Sequence, residues 1–86
     1  MQAMAEMPRY ESHKKVWALK IKKVLKDDWG IGIQFEDPQF SNRVFTNDQL
    51  KNRPVPEEGM YLVQYEDGYI SFSPGKQFEE GYTRVN

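Results

Sequence analysis

Apolar and polar residues alternate along two stretches in the first half of the chain, which predicts strands at residues 15–25 and 31–36. In the first stretch, Leu19 and Ile21 share one parity, while Lys20 and Lys22 share the other. Three apolar residues also fall on the lysine parity. We therefore expect another part of the chain to cover some of the lysine face.

A third alternating stretch, residues 61–73, predicts a β-hairpin that turns at Asp67 and Gly68. An Asp-Gly pair between alternating apolar residues is typical of a two-residue hairpin loop, in which both loop residues need positive φ. With that loop, one face of the hairpin belongs to the core and the other is solvated. The expected core face carries Val63, Tyr65, Ile70 and Phe72, and the expected solvated face carries Gln64, Glu66, Tyr69 and Ser71.

Two helix-start signatures follow strands in the pattern. Thr46 is a good N-cap for one or two helical turns. Ser73 is followed by Pro74, so a hydroxyl cap precedes a proline at the first helical position. This second signature predicts a short helix over residues 75–80, with Phe78 facing the core.

These elements predict a small α+β domain. Gly81 would end the second helix, and residues 82–85 would form a last short strand. The expected architecture is a curled antiparallel sheet of four or five strands with one or two short helices packed on it. We assign residues 12–86 to this single domain and residues 1–11 to a flexible N-terminal segment, which has no periodic pattern.

Composition and charge narrow the function classes. The chain has 86 residues, no cysteine and a net charge of −1, and no run of apolar residues is long enough to span a membrane. Residues 1–26 hold seven of the twelve Lys and Arg but two of the thirteen acids. The basic strand either is neutralised by acidic loops or meets an anion. Overall acidity argues against a nucleic-acid partner, and we expect a soluble cytoplasmic protein.

The sequence offers no set of residues suited to catalysis. His13 is the one histidine, so neither a hydrolase pair nor a metal cluster is expected. Carboxylates occur as adjacent pairs at predicted turns, where neighbouring side chains diverge. The glycines form no phosphate-binding or dinucleotide motif. We therefore expect no enzyme activity, no metal and no cofactor.

One group of residues could bind a small anionic ligand. The backbone amides at the start of the second helix, beside Ser73, could hold an anion. Ser71 would add a hydroxyl, Tyr69 a ring and a phenol, and Lys20 and Lys22 positive charge if their strand neighbours the hairpin. Ordinary capping and surface exposure are the alternative explanation.

The aromatic residues indicate a second kind of site. Five Tyr, five Phe and two Trp are more than a core of this size must absorb, and such residues favour binding surfaces. Trp29, Tyr61 and Tyr82 are the candidate interface residues, although Trp29 could instead cap the turn beside it. We expect the protein to self-associate as a homo-oligomer or to bind another protein.

The end of the chain, roughly residues 59–85, carries a specific series of motifs: Gly59-Met60-Tyr61-Leu62-Val63, Tyr65-Glu66-Asp67-Gly68-Tyr69, Ser73-Pro74 and Phe78-Glu79-Glu80-Gly81-Tyr82-Thr83. With these motifs the chain resembles a family of small uncharacterised proteins of tailed bacteriophages and prophages. The opening Met7-Pro8-Arg9-Tyr10 also resembles this family and makes Met7 a plausible natural start. The resemblance implies phage origin, expression in the cytoplasm of a bacterial host, and an accessory rather than a virion function.

Two functions remain open from the sequence. The first is a non-enzymatic phage or prophage accessory protein that binds a host or phage protein, with anti-defence as one such role. The alternative is a module that sequesters a small ligand or nucleotide. The order of elements after residue 59 is loosely similar to that of phage anti-defence proteins that sequester nucleotide signals, but no binding residue follows from that likeness.

Overall fold

The computed structural model describes residues 7–11 and 15–84. Five strands of at least four residues form its main sheet: β2 (Lys15–Asp27), β3 (Gly30–Phe35), β4 (Arg43–Thr46), β5 (Tyr61–Tyr65) and β6 (Ile70–Ser73). Two shorter strands extend it, β1 (Arg9–Glu11) and β7 (Thr83–Arg84). The helices are α1 (Asn47–Leu50) and α2 (Gly75–Gly81). The predicted α+β fold, a small curled antiparallel sheet with two short helices, is confirmed.

The long strand β2 organises the sheet. Its first part pairs antiparallel with β1 and β5, and its second part pairs antiparallel with β3. β4 continues the sheet beyond β3, and β6 continues it beyond β5. β1 lies in the segment that the sequence assigns to a flexible N-terminus, yet its backbone pairs with β2, so the paired chain begins no later than Arg9.

The sheet curls until its two ends meet. β4 and β6 lie at opposite ends of the order β4-β3-β2-β5-β6. Nevertheless, the rings of Phe45 on β4 and Phe72 on β6 pack edge to face, with centroids 5.5 Å apart. This contact closes the sheet into a half-barrel with a concave inner face.

Both faces of the sheet are apolar. The inner cluster lies on the concave face and consists of Leu19, Ile21, Ile31, Ile33, Phe35, Phe45, Leu62 and Phe72. The outer cluster lies under α2 and consists of Val16, Ala18, Tyr61, Val63 and Phe78. The expectation that another part of the chain covers the lysine face of β2 is thus confirmed for Val16 and Ala18.

The predicted register of the β5–β6 hairpin is wrong by one residue. Leu62 pairs with Phe72 and Val63 with Ser71, and the amide of Tyr65 donates to the Tyr69 carbonyl at 2.9 Å. The loop has three residues, because only Gly68, at φ 91°, takes a positive φ. The one-residue shift separates the four residues predicted to share the core face.

The correct register places the hairpin's residues on two buried faces. Leu62, Ile70 and Phe72 pack in or against the inner cluster, whereas Val63 and Tyr65 pack in or against the outer cluster. The expectation of one core face and one solvated face is therefore wrong for this hairpin. α2 covers the face that carries Val63, Tyr65 and Ser71.

The two helix starts have different outcomes. Thr46 caps α1 as predicted: its Oγ1 accepts a hydrogen bond from the Gln49 amide at 3.2 Å, and the Gln49 side chain accepts one from the Thr46 amide at 2.9 Å. Ser73, in contrast, is not a helix cap, because it lies in β6 and Pro74 occupies the N-cap position without a side-chain hydrogen bond. Phe78 faces the core as predicted, with 1 % of its surface exposed.

The end of α2 also differs from the prediction. Gly81 is the last helical residue instead of a C′ glycine in the left-handed region, and Tyr82 follows in an extended conformation. The predicted last strand begins one residue later, at Thr83, and pairs with β1.

Within the described residues, no helix is both long and apolar enough to cross a membrane.

Gly30 marks a close approach of two strands. A Cβ atom there would lie 2.0 Å from the carbonyl oxygen of Phe45 on β4. Gly32, the second glycine of β3, has no such close neighbour. The atom nearest to a Cβ added at Gly32 would be the Leu25 carbonyl oxygen, at 4.0 Å. Gly30 therefore allows β4 to lie against β3 where the sheet curls.

Candidate functional site

The concave face of the sheet holds two adjoining pockets that share Arg43. The smaller has a volume of about 210 Å³ and is lined by Arg43, Phe45, Gln49, Arg53, Gly68, Tyr69, Ile70 and Phe72. The larger has a volume of about 360 Å³ and is lined by Met7, Leu19, Phe35, Gln39, Phe40, Ser41, Asn42 and Arg43. We call the two pockets together the arginine groove.

Arg43 stands between the two pockets. It is the first residue of β4 and pairs with Ile33 of β3, so its side chain shares the inner face of the sheet. Its guanidinium Cζ lies 5.0 Å from the centroid of the Phe45 ring, at a distance typical of a cation–π contact. Among the described residues, no carboxylate forms a salt bridge with Arg43.

Arg53 lies on the far side of the smaller pocket and is held in place by backbone groups. Its Nε donates a hydrogen bond to the Ile70 carbonyl at 2.6 Å, and its Nη1 donates to the Gln49 carbonyl. Its Cζ lies 4.7 Å from the centroid of the Tyr69 ring. Two of the five guanidinium N–H donors are thus used, and the others remain available to a ligand.

The charged residues in the described lining of the groove are all positive. The described lining residues of both pockets include two arginines and no Asp or Glu. The ion pairs of the described chain lie elsewhere: Lys20 Nζ is 3.3 Å from Glu79 Oε2, and Lys26 Nζ is 3.1 Å from Glu57 Oε2. An anionic group entering the groove would therefore meet positive charge without a competing carboxylate.

The described lining of the groove carries several kinds of polar and aromatic group. It offers guanidinium groups, aromatic rings, amides, the Ser41 hydroxyl and the Tyr69 phenol, and it includes no His, Asp or Glu. No group of three or more His, Cys, Asp or Glu that could hold a metal occurs among the described residues. His13 lies outside the described part of the chain.

Three of the five residues predicted to bind an anion share one face of the sheet, and the other two do not join them. Lys20 and Ser73 both pair with Tyr61, and Ser71 pairs with Val63. Because Tyr61 and Val63 lie under α2, these three residues lie on the α2 side of the sheet. Lys22 is exposed at an irregularity of β2.

Tyr69 is the one predicted ligand residue that reaches the groove, where its ring packs on Arg53. Ligand binding by all five residues stays a prediction that no observation tests.

Lys20 already has a partner on the α2 side. Tyr61 Oη donates a hydrogen bond to Glu79 Oε2 at 2.7 Å, and Lys20 Nζ contacts the same oxygen at 3.3 Å. The hydrogen bond from Tyr61, followed by that from Lys20, lowers the pKa of the Glu79 carboxyl below its usual value. This network connects α2 with β2 and β5, and it places a carboxylate beside the Lys20 charge.

The three predicted interface residues lie at different depths. Tyr61 is buried and stacks on Phe78, with ring centroids 4.4 Å apart. Tyr82 is half-buried and also stacks on the Phe78 ring, with ring centroids 4.7 Å apart. Trp29, at the turn between β2 and β3, is 47 % exposed. Of the three residues, Trp29 is the most accessible to a partner.

Sequence reasoning missed both arginines of the groove. Arg43 and Arg53 are ten residues apart in the chain and line one pocket only because the sheet curls and α1 turns the chain back. One signal was available: they are two of only five basic residues in the acidic stretch 27–86. An isolated cation beside aromatic residues is a reasonable candidate for binding.

Comparisons of the chain with profiles of protein families, with curated proteins and with solved structures found no match.

Proposed function

We propose that this protein is a non-enzymatic accessory protein of a phage or prophage that acts in the bacterial cytoplasm by binding a host or phage protein. The arginine groove is the observation that carries the proposal. It is an apolar, aromatic-walled depression with two cationic groups, and such surfaces are typical of protein-binding sites. The resemblance of residues 59–85 supports the phage origin.

The volume of the smaller pocket alone favours a side chain of a protein partner over a whole nucleotide. Small-molecule sites commonly have volumes of about 300–1,000 Å³. The pocket with both arginines has about 210 Å³, which accommodates a side chain better than a base, a sugar and phosphates together. Sequestering of a small anionic ligand is the second candidate, and it is favoured by the same pair of guanidinium groups.

Self-association forms a separate part of the proposal. Leu25 pairs with Gly32, and Gly32 pairs with Val44, so the three residues form one row across the outer face of the sheet. Leu25 is 73 % exposed and Val44 is 59 % exposed, and Gly32 leaves a shallow gap between them. An exposed apolar row of this kind favours contact with a second copy of the chain.

Affinity capture from a bacterial lysate tests the proposal through the variant Arg43→Glu. The substitution reverses the charge shared by both pockets, and we expect it to reduce recovery of the partner at least tenfold relative to the wild type. Buried or central cationic anchors commonly carry effects of this size, since tenfold corresponds to about 1.4 kcal/mol. Quantitative mass spectrometry of the captured proteins measures the recovery.

Lys76→Glu is the matched control, because Lys76 is exposed on α2 and undergoes the same change of charge. Circular dichroism establishes that both variants are folded, and Arg43→Gln removes the charge without adding an acid. Equal recovery with the wild type and with folded Arg43→Glu and Arg43→Gln would contradict the proposal.

A further inference from the structure

We infer that the arginine groove recognises an acidic segment of the partner protein, with a carboxylate side chain held between Arg43 and Arg53 and a large apolar side chain in the larger pocket. This inference rests on the proposed function and names the chemistry of the occupant. The groove is thus assigned to a peptide segment that combines one Asp or Glu with one apolar residue.

The charge of the smaller pocket is opposite in sign to the net charge of the protein. The protein has more acids than bases, yet the described lining of the smaller pocket contains two arginines and no acid. Arginine and carboxylate form short, bidentate, charge-assisted hydrogen bonds. A carboxylate is therefore the simplest group that completes this pocket.

Contacts within the protein already order the two arginines of the smaller pocket. Arg53 is fixed by hydrogen bonds to the carbonyls of Ile70 and Gln49 and by its contact with the Tyr69 ring. Arg43 is placed over the Phe45 ring. Because these contacts already order both long side chains, binding a carboxylate costs less conformational entropy than it would at two free surface arginines.

The volume of the smaller pocket suits one acidic side chain. A cavity of about 150 Å³ is large enough for a benzene molecule. The smaller pocket, at about 210 Å³, therefore holds one acidic side chain and part of its backbone. A nucleotide phosphate could reach the same arginines, but its sugar and base would extend beyond the residues that line this pocket.

The larger pocket, next to the smaller one, offers an apolar surface to the same segment. Met7, Leu19, Phe35 and Phe40 contribute its apolar lining, and Arg43 forms the boundary with the smaller pocket. Its volume of about 360 Å³ exceeds that of the arginine pocket and suits a large apolar side chain. A single extended segment that crosses Arg43 would fill both pockets.

Three capped dipeptides test the inference by NMR titration of the isotopically labelled full chain: acetyl-Phe-Glu-amide, acetyl-Phe-Gln-amide and acetyl-Phe-Lys-amide. Inorganic phosphate is titrated separately. We expect the Glu peptide to bind at millimolar to submillimolar concentration, at least fivefold tighter than the Gln peptide and tenfold tighter than the Lys peptide. The amide resonances that move should include Gly68, Tyr69 and Ile70 of the smaller pocket.

Arg43→Gln should weaken binding of the Glu peptide at least fivefold, whereas Lys76→Gln should leave it unchanged. Equal affinity for the Glu and Gln peptides, or shifts confined to residues outside the groove, would overturn the inference. Tighter binding of phosphate than of the Glu peptide at the same amides would also overturn it, in favour of a phosphorylated ligand.

The inference and the proposed function can fail separately. If no acidic peptide binds but Arg43→Glu abolishes capture of the partner, the groove binds a protein through different chemistry and only the inference is wrong. If the acidic peptide binds at the groove but folded Arg43→Glu captures the partner as the wild type does, the peptide result supports the inferred chemistry while the proposed function fails.

Discussion

Replacing Phe78 with alanine should destabilise the protein by about 3–5 kcal/mol, the usual cost of removing a buried aromatic side chain. Phe78 is 1 % exposed and lies between the rings of Tyr61 and Tyr82, at 4.4 Å and 4.7 Å. It is also the only buried residue of α2. Since small domains have a total stability of about 5–15 kcal/mol, this loss is large enough to release the helix or unfold the chain.

Urea denaturation followed by circular dichroism measures this loss. Gln77→Ala is the matched control, because the neighbouring Gln77 is exposed on the same helix, and it should change the stability by less than about 0.5 kcal/mol. If Phe78→Ala leaves too little folded protein to measure, Phe78→Leu should give a smaller loss with the same sign. A Phe78→Ala midpoint equal to that of Gln77→Ala would show that α2 does not hold the outer cluster together.

Gly30→Ala should cost about 1–3 kcal/mol or more, because the new methyl group would overlap the backbone of β4. Its Cβ would lie 2.0 Å from the Phe45 carbonyl oxygen and 2.9 Å from the Thr46 Cα, and backbone atoms cannot move aside as a flexible side chain does. β4 would have to shift away from β3. The shift would disturb the Phe45 and Phe72 contact that closes the half-barrel.

Gly32→Ala, two residues along the same strand, is the control for this substitution. Its Cβ would be 4.0 Å from the nearest atom, an ordinary contact, and alanine reduces the entropy of the unfolded chain. We expect Gly32→Ala to be neutral or to stabilise the protein by up to about 1 kcal/mol. Thermal unfolding of the two variants compares them directly, and equal midpoints would refute the close approach at Gly30.

The elements that local patterns specify could be predicted from the sequence. The alternation of Ile31, Ile33 and Phe35 defines β3, and all three side chains are buried. The capping box at Thr46 is complete within four residues and needs no distant partner. The fold class could be predicted because such local signals occur along most of the chain.

The hairpin register could not be predicted for a physical reason. Leu62 and Val63 are both apolar, and both faces of the sheet are covered, so the hydrophobic pattern alone does not decide which residue faces which cluster. The loop decided it instead. Asp67 Oδ1 accepts a hydrogen bond from the Tyr69 amide at 2.9 Å, and only Gly68 takes a positive φ, which makes the loop one residue longer than expected.

The candidate site was less accessible to sequence reasoning than the fold. Arg43 and Arg53 act as a pair only after the sheet curls and brings β4 and α1 beside β6. The predicted ligand residues were chosen from the Ser73 helix start, which is not a side-chain cap. Of them, Tyr69 lies in the groove, through its contact with Arg53.

Site-specific photo-crosslinking in living bacteria tests the central claim most directly, namely that the arginine groove contacts a partner protein. A photoreactive phenylalanine derivative is placed at Ser41, an exposed residue of the larger pocket, and in a separate variant at Gln77, an exposed residue of α2 on the opposite face. We predict a crosslink to one partner from position 41 that Arg43→Glu removes, and no crosslink to that partner from position 77. Crosslinking of the same partner from position 77 but not from position 41 would contradict the claim and move the binding surface to α2.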